Sequence, residues 1–271
     1  MSRPLADWLA LREDADAAAR SDALARAVAA RLPPGAPARV LDLATGTGSN
    51  IRYLAPRLSG DQRWVAADRD RVLLARVPPE VRGPSFAAHV ETRAIDLGRP
   101  GDPAIPLLLN GHHLVTASAL LDLVSDRWLR ALAALCRASG AIVLFALTYT
   151  GESACEPAEP EDDLIRRLMN RHQRASDHGF GTAAGPDALD CAIRAFAEAG
   201  YDMQRERSDW RLLPEHRALQ SELVEGWALA AREIAPEHAA TIAGWRSRRL
   251  AHVEAGRSRI TVGHEDIAGW L

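Results

Sequence analysis

The feature that most constrains this chain is a series of short apolar runs, each closed by an acid and followed by a helical pattern. Val40-Leu41-Asp42-Leu43 leads through Ala44-Thr45-Gly46-Thr47-Gly48 into a helical stretch over 49–58; residues 62–67 end in Asp68; residues 90–95 end in Asp96. A fourth run, 113–117, precedes a helix over 126–138, and a fifth, 141–147, is nearly continuous Ala, Val, Ile, Leu and Phe. Strands that lack polar alternation and are separated by helices predict a doubly wound, mostly parallel α/β sheet buried on both faces. Ligands of such sheets sit beyond the carboxyl ends of the strands.

Outside these units the pattern changes. Residues 7–31 read as one Ala-rich helix stopped by Pro33-Pro34-Gly35. Residues 148–186 are polar, with a helical piece over 162–174 and the loop Gly179-Phe180-Gly181, a length of departure typical of segments that cover a site. A helix over 187–199 and strands over 201–212 and 258–262 follow, with an Ala-rich helical stretch over 215–255 that carries Trp227 and Trp245. The expected organisation is an N-terminal helical cap over 1–37 and a catalytic body over 38–271, with cap-forming inserts at about 148–186 and 213–257.

Composition removes several functions. All 33 cationic side chains are Arg, so Schiff-base chemistry, a Walker lysine and a lysine base are absent. A net charge of −3 disfavours a nucleic-acid or anionic-membrane coat. No apolar run reaches the length of a membrane span and the first ten residues do not resemble a signal peptide, so a cytoplasmic protein is expected. Cys136, Cys155 and Cys191 are odd in number and lack C-x-x-C spacing, which predicts reduced thiols. No metal is expected: Asp162, Asp163 and His172 form no compact ligand set, and His112 and His113 would face opposite sides of a strand. Oligomeric state leaves no mark on the sequence.

At the first turn, Gly46 and Gly48 let backbone approach a ligand, and Asp68 stands where a carboxylate can take both hydroxyls of a ribose. Asp68 pairing with Arg69 or Arg71 is the plain alternative. Two nucleoside-bearing cofactors compete. A dinucleotide fingerprint requires a third glycine where this chain has Ile51, and Asp42 would repel a pyrophosphate. The same acid suits the amino group of a methionine moiety, which favours S-adenosylmethionine over a nicotinamide.

The run from Val40 to Gly48 resembles motif I of the class I S-adenosylmethionine-dependent methyltransferases, written D/E-x-G-x-G-x-G, with Ala44 in place of the first glycine. The resemblance covers residues 39–147 through Asp68, Asp96-Leu97 and Thr116-Ala117-Ser118. It implies a Rossmann-like, seven-stranded sheet with an antiparallel last strand, for which 258–262 is the candidate. It also implies a cofactor site made by Asp42, Ala44, Gly46, Gly48, Asp68, Arg69, Asp96, Leu97, Ala117 and Ser118. In that site Asp68 would hold the ribose, Asp96 and Leu97 the adenine, and the backbone at Ala117 and Ser118 the methionine part. Asp96 could equally cap a helix.

The acceptor is expected to be a small molecule, because the turn after strand four, Thr116-Ala117-Ser118-Ala119-Leu120, lacks the Asn/Asp-Pro-Pro-aromatic signature of amino-directed nucleic-acid methyltransferases. Trp8, Arg12, Asp16 and Arg20 fall on one helical stripe, either lining the pocket or forming a solvated ladder of ion pairs. Asp122 follows strand four, as an acceptor contact, a helix cap or a partner of Arg127. The polar insert adds Tyr149, Asn170, His172, Arg174 and His178. Because an imidazole as a side-chain type titrates near neutrality, His172, together with Tyr149, is a candidate catalytic residue. If the pocket is cationic, it is so through Arg12, Arg20 or Arg174, which favours a carboxylate or phosphate acceptor. Two rivals stand beside this reading: a catalytically silent S-adenosylmethionine-binding scaffold whose Trp-bearing insert docks a partner, and a nucleotide-linked oxidoreductase.

Overall fold

The computed structural model describes residues 4–99 and 102–271. The first two helices are α1 (Leu5–Ala19) and α2 (Asp22–Ala29), where the sequence suggested one. The break lies at Arg20, whose backbone is extended (φ −66°, ψ 149°), and Ser21 restarts the helix by accepting the Leu24 N–H. There follow β1 (Ala38–Leu43), α3 (Ser49–Leu54), β2 (Gly60–Asp68), α4 (Arg71–Leu74), β3 (Glu80–Gly83), β4 (Phe86–Ala94), α5 (Ala104–Leu109) and β5 (Leu114–Ser118). A short 3-10 turn, Leu121–Leu123, leads to α6 (Asp126–Ser139) and β6 (Ile142–Glu156). The chain ends with α7 (Asp162–Ala175), α8 (Ala188–Glu198), β7 (Asp202–Arg207), β8 (Trp210–Leu212), α9 (Arg217–Ile234), α10 (Ala239–Glu254) and β9 (Arg259–Trp270).

The strands form one mixed sheet in the order β3-β4-β2-β1-β5-β6-β9-β7, with β8 pairing beside β9. β4, β2, β1, β5 and β6 are mutually parallel, and β9 runs antiparallel to both β6 and β7. Leaving aside the short β3 and β8, this is the expected doubly wound sheet of seven strands with an antiparallel last strand. The chain order reverses between β1 and β5, which opens a crevice at the carboxyl ends of those strands.

Alternating residues of the central strands pack on opposite faces. Leu41, Leu43, Val115 and Phe145 meet α6 and α8 through Trp128, Leu129 and Phe196, while Val40 and Leu144 meet α2 and α3 through Leu24, Val28, Ile51 and Leu54. Phe196 alone, fully buried between Phe145 and Tyr201, contributes about 1.5–3 kcal/mol of burial. Since α2 belongs to this core, α1 is the part of the N-terminal segment, among the described residues, that lies over the strand ends. A third cluster, with Leu168, Trp210, Trp227, Trp245 and Ile260, joins α7, α9 and α10 to β8 and β9.

Besides the split first helix and the strand over 201–212, which is broken into β7 and β8, three further elements depart from the sequence expectation. β6 continues past residue 147 to Glu156, because β9 pairs along its whole length. The last strand extends past residue 262 to Trp270, through the polar His264-Glu265-Asp266. The helical stretch over 215–255 is two helices, interrupted before Pro236. No helix among the described residues is long and apolar enough to cross a membrane.

Candidate functional site

The turn after β1 is a backbone device. Ala44 (φ 51°), Gly46 (φ 56°) and Gly48 (φ 81°) all take left-handed conformations, which cost a residue with a Cβ about 1–2 kcal/mol. A Cβ on Gly46 would lie 3.0 Å from Leu9 Cδ1, so α1 rests directly on the turn. Beneath it, Asp42 is fully buried and accepts hydrogen bonds from Thr45 Oγ1 and Asn50 Nδ2, both at 2.5 Å. Burial pushes its pKa up to about 6 against those two stabilising contacts. Arg20 donates to Asn50 Oδ1 at 2.5 Å and stacks 4.0 Å above the Tyr53 ring. Having left the helix, Arg20 is not on the stripe of Trp8, Arg12 and Asp16; it turns inward to support Asn50, and it does not line the central cavity.

Asp68, at the end of β2, accepts the Gly46 N–H on Oδ2 and the Asp70 N–H on Oδ1, each at 2.9 Å. Each carboxylate oxygen keeps a second lone pair, and the residue lines the cavity. Arg69 donates to the His178 carbonyl at 3.2 Å. Asp96 is exposed and closes a turn by accepting the Gly98 N–H, while its neighbours Ile95 and Leu97 line the cavity. Gly98 is required where it stands: a Cβ there would come within 2.0 Å of Gly179 O. That contact, a hydrogen bond from Ser125 Oγ to Phe180 O (2.7 Å) and the edge-on packing of Phe180 against Trp128 (5.5 Å) latch the insert loop across this end of the crevice.

The cavity, about 590 Å³, runs from the β1 turn past Ser118 and Ala119 into a compartment under the cap. Ala119 and Leu147, which flank its middle, are left-handed without being glycine (φ 52° and 56°). Such strain clusters at functional sites. Leu147 is held by a hydrogen bond from its N–H to Asp266 Oδ1 (2.8 Å), and the register shift of β6 against β9 at this point precedes Tyr149, which lines the cavity.

In the compartment, Asp16 accepts from Arg12 Nε at 2.9 Å and from Trp210 Nε1 at 3.0 Å, and the Arg12 guanidinium sits 5.1 Å over the Trp210 ring. Tyr149 donates to Asn170 Oδ1 at 3.0 Å, and Asn170 in turn donates to Gly151 O. Burial holds the Tyr149 hydroxyl well above its ordinary pKa. His264, in β9, donates from Nδ1 to Val262 O at 3.1 Å; burial first, then the Arg12 charge, lowers its pKa to about 4, so it is neutral with a bare Nε2. Asp122 has a buried Oδ1 without a hydrogen-bond partner, and burial raises its pKa to about 6. It caps no helix: Ser125 caps α6.

Beside Arg20 and Asp96, the expected site residues Gly48, Ala117, Asn170, His172 and Arg174 do not line the cavity. His172 faces α9, with Nε2 3.0 Å from Glu233, and does not line the cavity. Arg174 is paired with Asp187 at 2.7 and 3.0 Å. The helix α7 turns these side chains outward and directs Met169 and Gln173 inward. Trp210, Trp227, Gln173 and His264 line the cavity without having been singled out for it. His264 was hidden because His264-Glu265-Asp266 reads as the end of a strand, whereas each polar group has a partner inside the fold: Glu265 takes Arg205 in a bidentate pair and Asp266 accepts the Ser21 and Leu147 N–H groups. Among the described residues no cluster of His, Cys, Asp and Glu could hold a metal ion.

No protein-family profile matches the chain, and no curated protein matches its sequence. Among solved structures, a putative type II methyltransferase from Anaeromyxobacter dehalogenans superposes with a TM-score of 0.50 at 17% identity, covering 92% of this chain and 95% of that one. The chain has the Rossmann-like methyltransferase fold. The cyclopropane synthase MmaA2 from Mycobacterium tuberculosis (11% identity, 90% and 82% coverage, TM-score 0.46) and YcgJ from Bacillus subtilis (11%, 91% and 97%, 0.47) are more distant. At these identities the likeness is one of fold, and the methyltransferase fold alone is what the superposition establishes.

Proposed function

We propose that this protein transfers a methyl group from S-adenosylmethionine to a small-molecule acceptor. The observation that carries the reading is Asp68: its carboxylate is fixed by two backbone N–H groups at the end of β2, with one lone pair on each oxygen left toward the cavity. That arrangement suits the two hydroxyls of a ribose. Asp42, Ala44, Gly46, Gly48 and Arg69 surround the same end. Leu97, with Ile95 and Leu73, offers an apolar slot for adenine, and Ser118, next to the core residue Ala117, leads to the methionine end. The cavity volume falls in the range of about 300–1,000 Å³ typical of ligand sites.

S-adenosylmethionine, when bound, supplies a methyl group already activated on a sulfonium. The work left to the chain is positioning and exclusion of water. Leu9 of α1 covers the glycine turn, Phe180 covers the adenine end, and Trp8, Trp210 and Trp227 close the acceptor compartment. The silent-scaffold reading draws no support from the insert: Trp227 turns into the cavity and Trp245 is buried, donating to Asp162 at 2.8 Å.

Calorimetric titration with S-adenosylhomocysteine and with NAD(H) tests the reading. S-adenosylhomocysteine is expected to bind and the nicotinamide not; the opposite result rejects the proposal. Asp68→Asn, which keeps the shape and loses the charge, is expected to weaken S-adenosylhomocysteine by about 1.5–3 kcal/mol, a loss of tenfold or more. Unchanged affinity would remove Asp68 from the ribose.

A further inference from the structure

The acceptor compartment is not the cationic pocket that three Arg residues suggested. Arg20 is spent on Asn50 and Arg174 on Asp187, so of these three only Arg12 lines the cavity, and Asp16 neutralises it at 2.9 Å. Opposed to that neutral pair is Asp122, on the turn that follows β5. Its Oδ1 is buried and unpartnered, and among the described residues no Arg or His lies within ion-pair distance of it.

Other polar groups line the same cavity. Gln173 Oε1 is also buried without a partner. His264 uses Nδ1 on Val262 O and presents Nε2 as an acceptor. The Tyr149 hydroxyl gives its proton to Asn170. Asp122, Gln173 and His264 thus bring to the cavity lining acceptor atoms that no protein donor answers, and its walls are the rings of Trp8, Trp210, Trp227 and Tyr149. A carboxylate with a buried, unpartnered oxygen is costly unless a ligand answers it. Several N–H groups carrying positive charge, against aromatic walls, answer it best.

We propose that the acceptor is a primary or secondary amine on an apolar body, and that Asp122 binds its ammonium group and receives its proton. This rests on the methyl-transfer reading. One N–H proton of the ammonium passes to the Asp122 carboxylate, leaving a neutral amine. Its nitrogen lone pair forms the N–C bond to the methyl carbon as the C–S bond breaks, and that electron pair stays on sulfur as a neutral thioether. The products are the methylated ammonium ion and S-adenosylhomocysteine, and Asp122 returns its proton to water when they leave. The charged and titratable groups acting on Asp122 are Arg12 from α1, which favours its ionised form, and Tyr149 from β6, which burial keeps protonated.

The test titrates the full chain, loaded with S-adenosylhomocysteine, with 2-phenylethylamine, 2-phenylethanol and 3-phenylpropanoate, three probes of similar size. The amine is expected to bind at least tenfold more tightly than the other two, and to lose at least tenfold in Asp122→Asn while S-adenosylhomocysteine affinity stays within twofold. Preference for the carboxylate or the alcohol, an amine preference that survives Asp122→Asn, or no binding of any probe overturns the proposal. If S-adenosylhomocysteine fails to bind and the unloaded chain still selects the amine through Asp122, the methyl-transfer reading falls and the amine site stands.

Discussion

The two ends of the cavity are built from different material. At the cofactor end, a left-handed turn and carboxylates fixed by backbone N–H groups come from residues 42–98, at the tips of adjacent parallel strands. At the acceptor end, the groups are side chains from α1, the turn after β5, β6, α7, β8, α9 and β9, brought together from Trp8 to His264. The first end depends on strand order and turn conformation, which many sequences can supply. The second depends on individual side chains, and it is where this chain has its own chemistry.

Arg20 stands at the seam between them, and its removal is expected to have the largest effect. It neutralises a buried region that contains Asp42 and Asp266, and desolvation is the main force on its own charge. Arg20→Ala leaves those carboxylates without their cation and frees Asn50 from its donor, at a cost of about 3–5 kcal/mol. Urea denaturation should show that loss, accompanied by weaker S-adenosylhomocysteine binding, because Asn50 positions Asp42. Unchanged stability with reduced turnover alone would return Arg20 to the acceptor end and erase the seam.

The same contrast explains what was legible in the sequence. The central strands, the glycine turn and the acids closing β1 and β2 were readable because each is local: apolar continuity, a turn residue and a carboxylate within a few positions. Asp96 was readable as a strand end, but its side chain accepts the Gly98 N–H of a turn, which is neither the adenine contact nor the helix cap that the sequence suggested. The acceptor end was legible only where it followed a strand, as at Asp122 and Tyr149. His172 and Arg174 pattern as well as Gln173 does, and only the placement of α9 and of Asp187 decides which of them turn outward. Arg20 matched the helical stripe by spacing, and the stripe ended one residue earlier because the chain becomes extended at that position. Nothing in spacing announces that Ser21 will start a new helix and direct Arg20 inward.

Asp122→Asn probes the acceptor end by stability as well as by binding. The carboxyl rises from its ordinary value of 3.8 to about 6 on burial, so between those values the folded chain holds more protons than the unfolded one. Stability therefore falls as pH rises through this window, and the whole penalty is present above it. The variant, lacking the charge, is expected to be more stable than the parent by about 1–3 kcal/mol at pH 7.5 and no more stable at pH 4. Asp42 and His264 titrate in the same range and in opposite senses, but both are common to the two proteins and cancel in the difference. A variant less stable than the parent at pH 7.5 would mean that Asp122 has a protein partner and supports the fold.

The smallest effect belongs to the cofactor end. Ala44 holds the left-handed conformation that a glycine adopts without strain. Ala44→Gly should relieve about 1–2 kcal/mol of backbone strain and lose about 0.5–1 kcal/mol to the greater freedom of the unfolded chain. A net gain of about 0–1.5 kcal/mol is expected from those two terms, measurable as a small rise in Tm. Affinity for S-adenosylhomocysteine should not change, because residue 44 contributes backbone to the turn and its methyl group packs toward Leu43 and its neighbours. A loss of affinity would show that the Ala44 side chain shapes the cofactor end, and the division between a site of backbone and a site of side chains would then have to be drawn one strand further along.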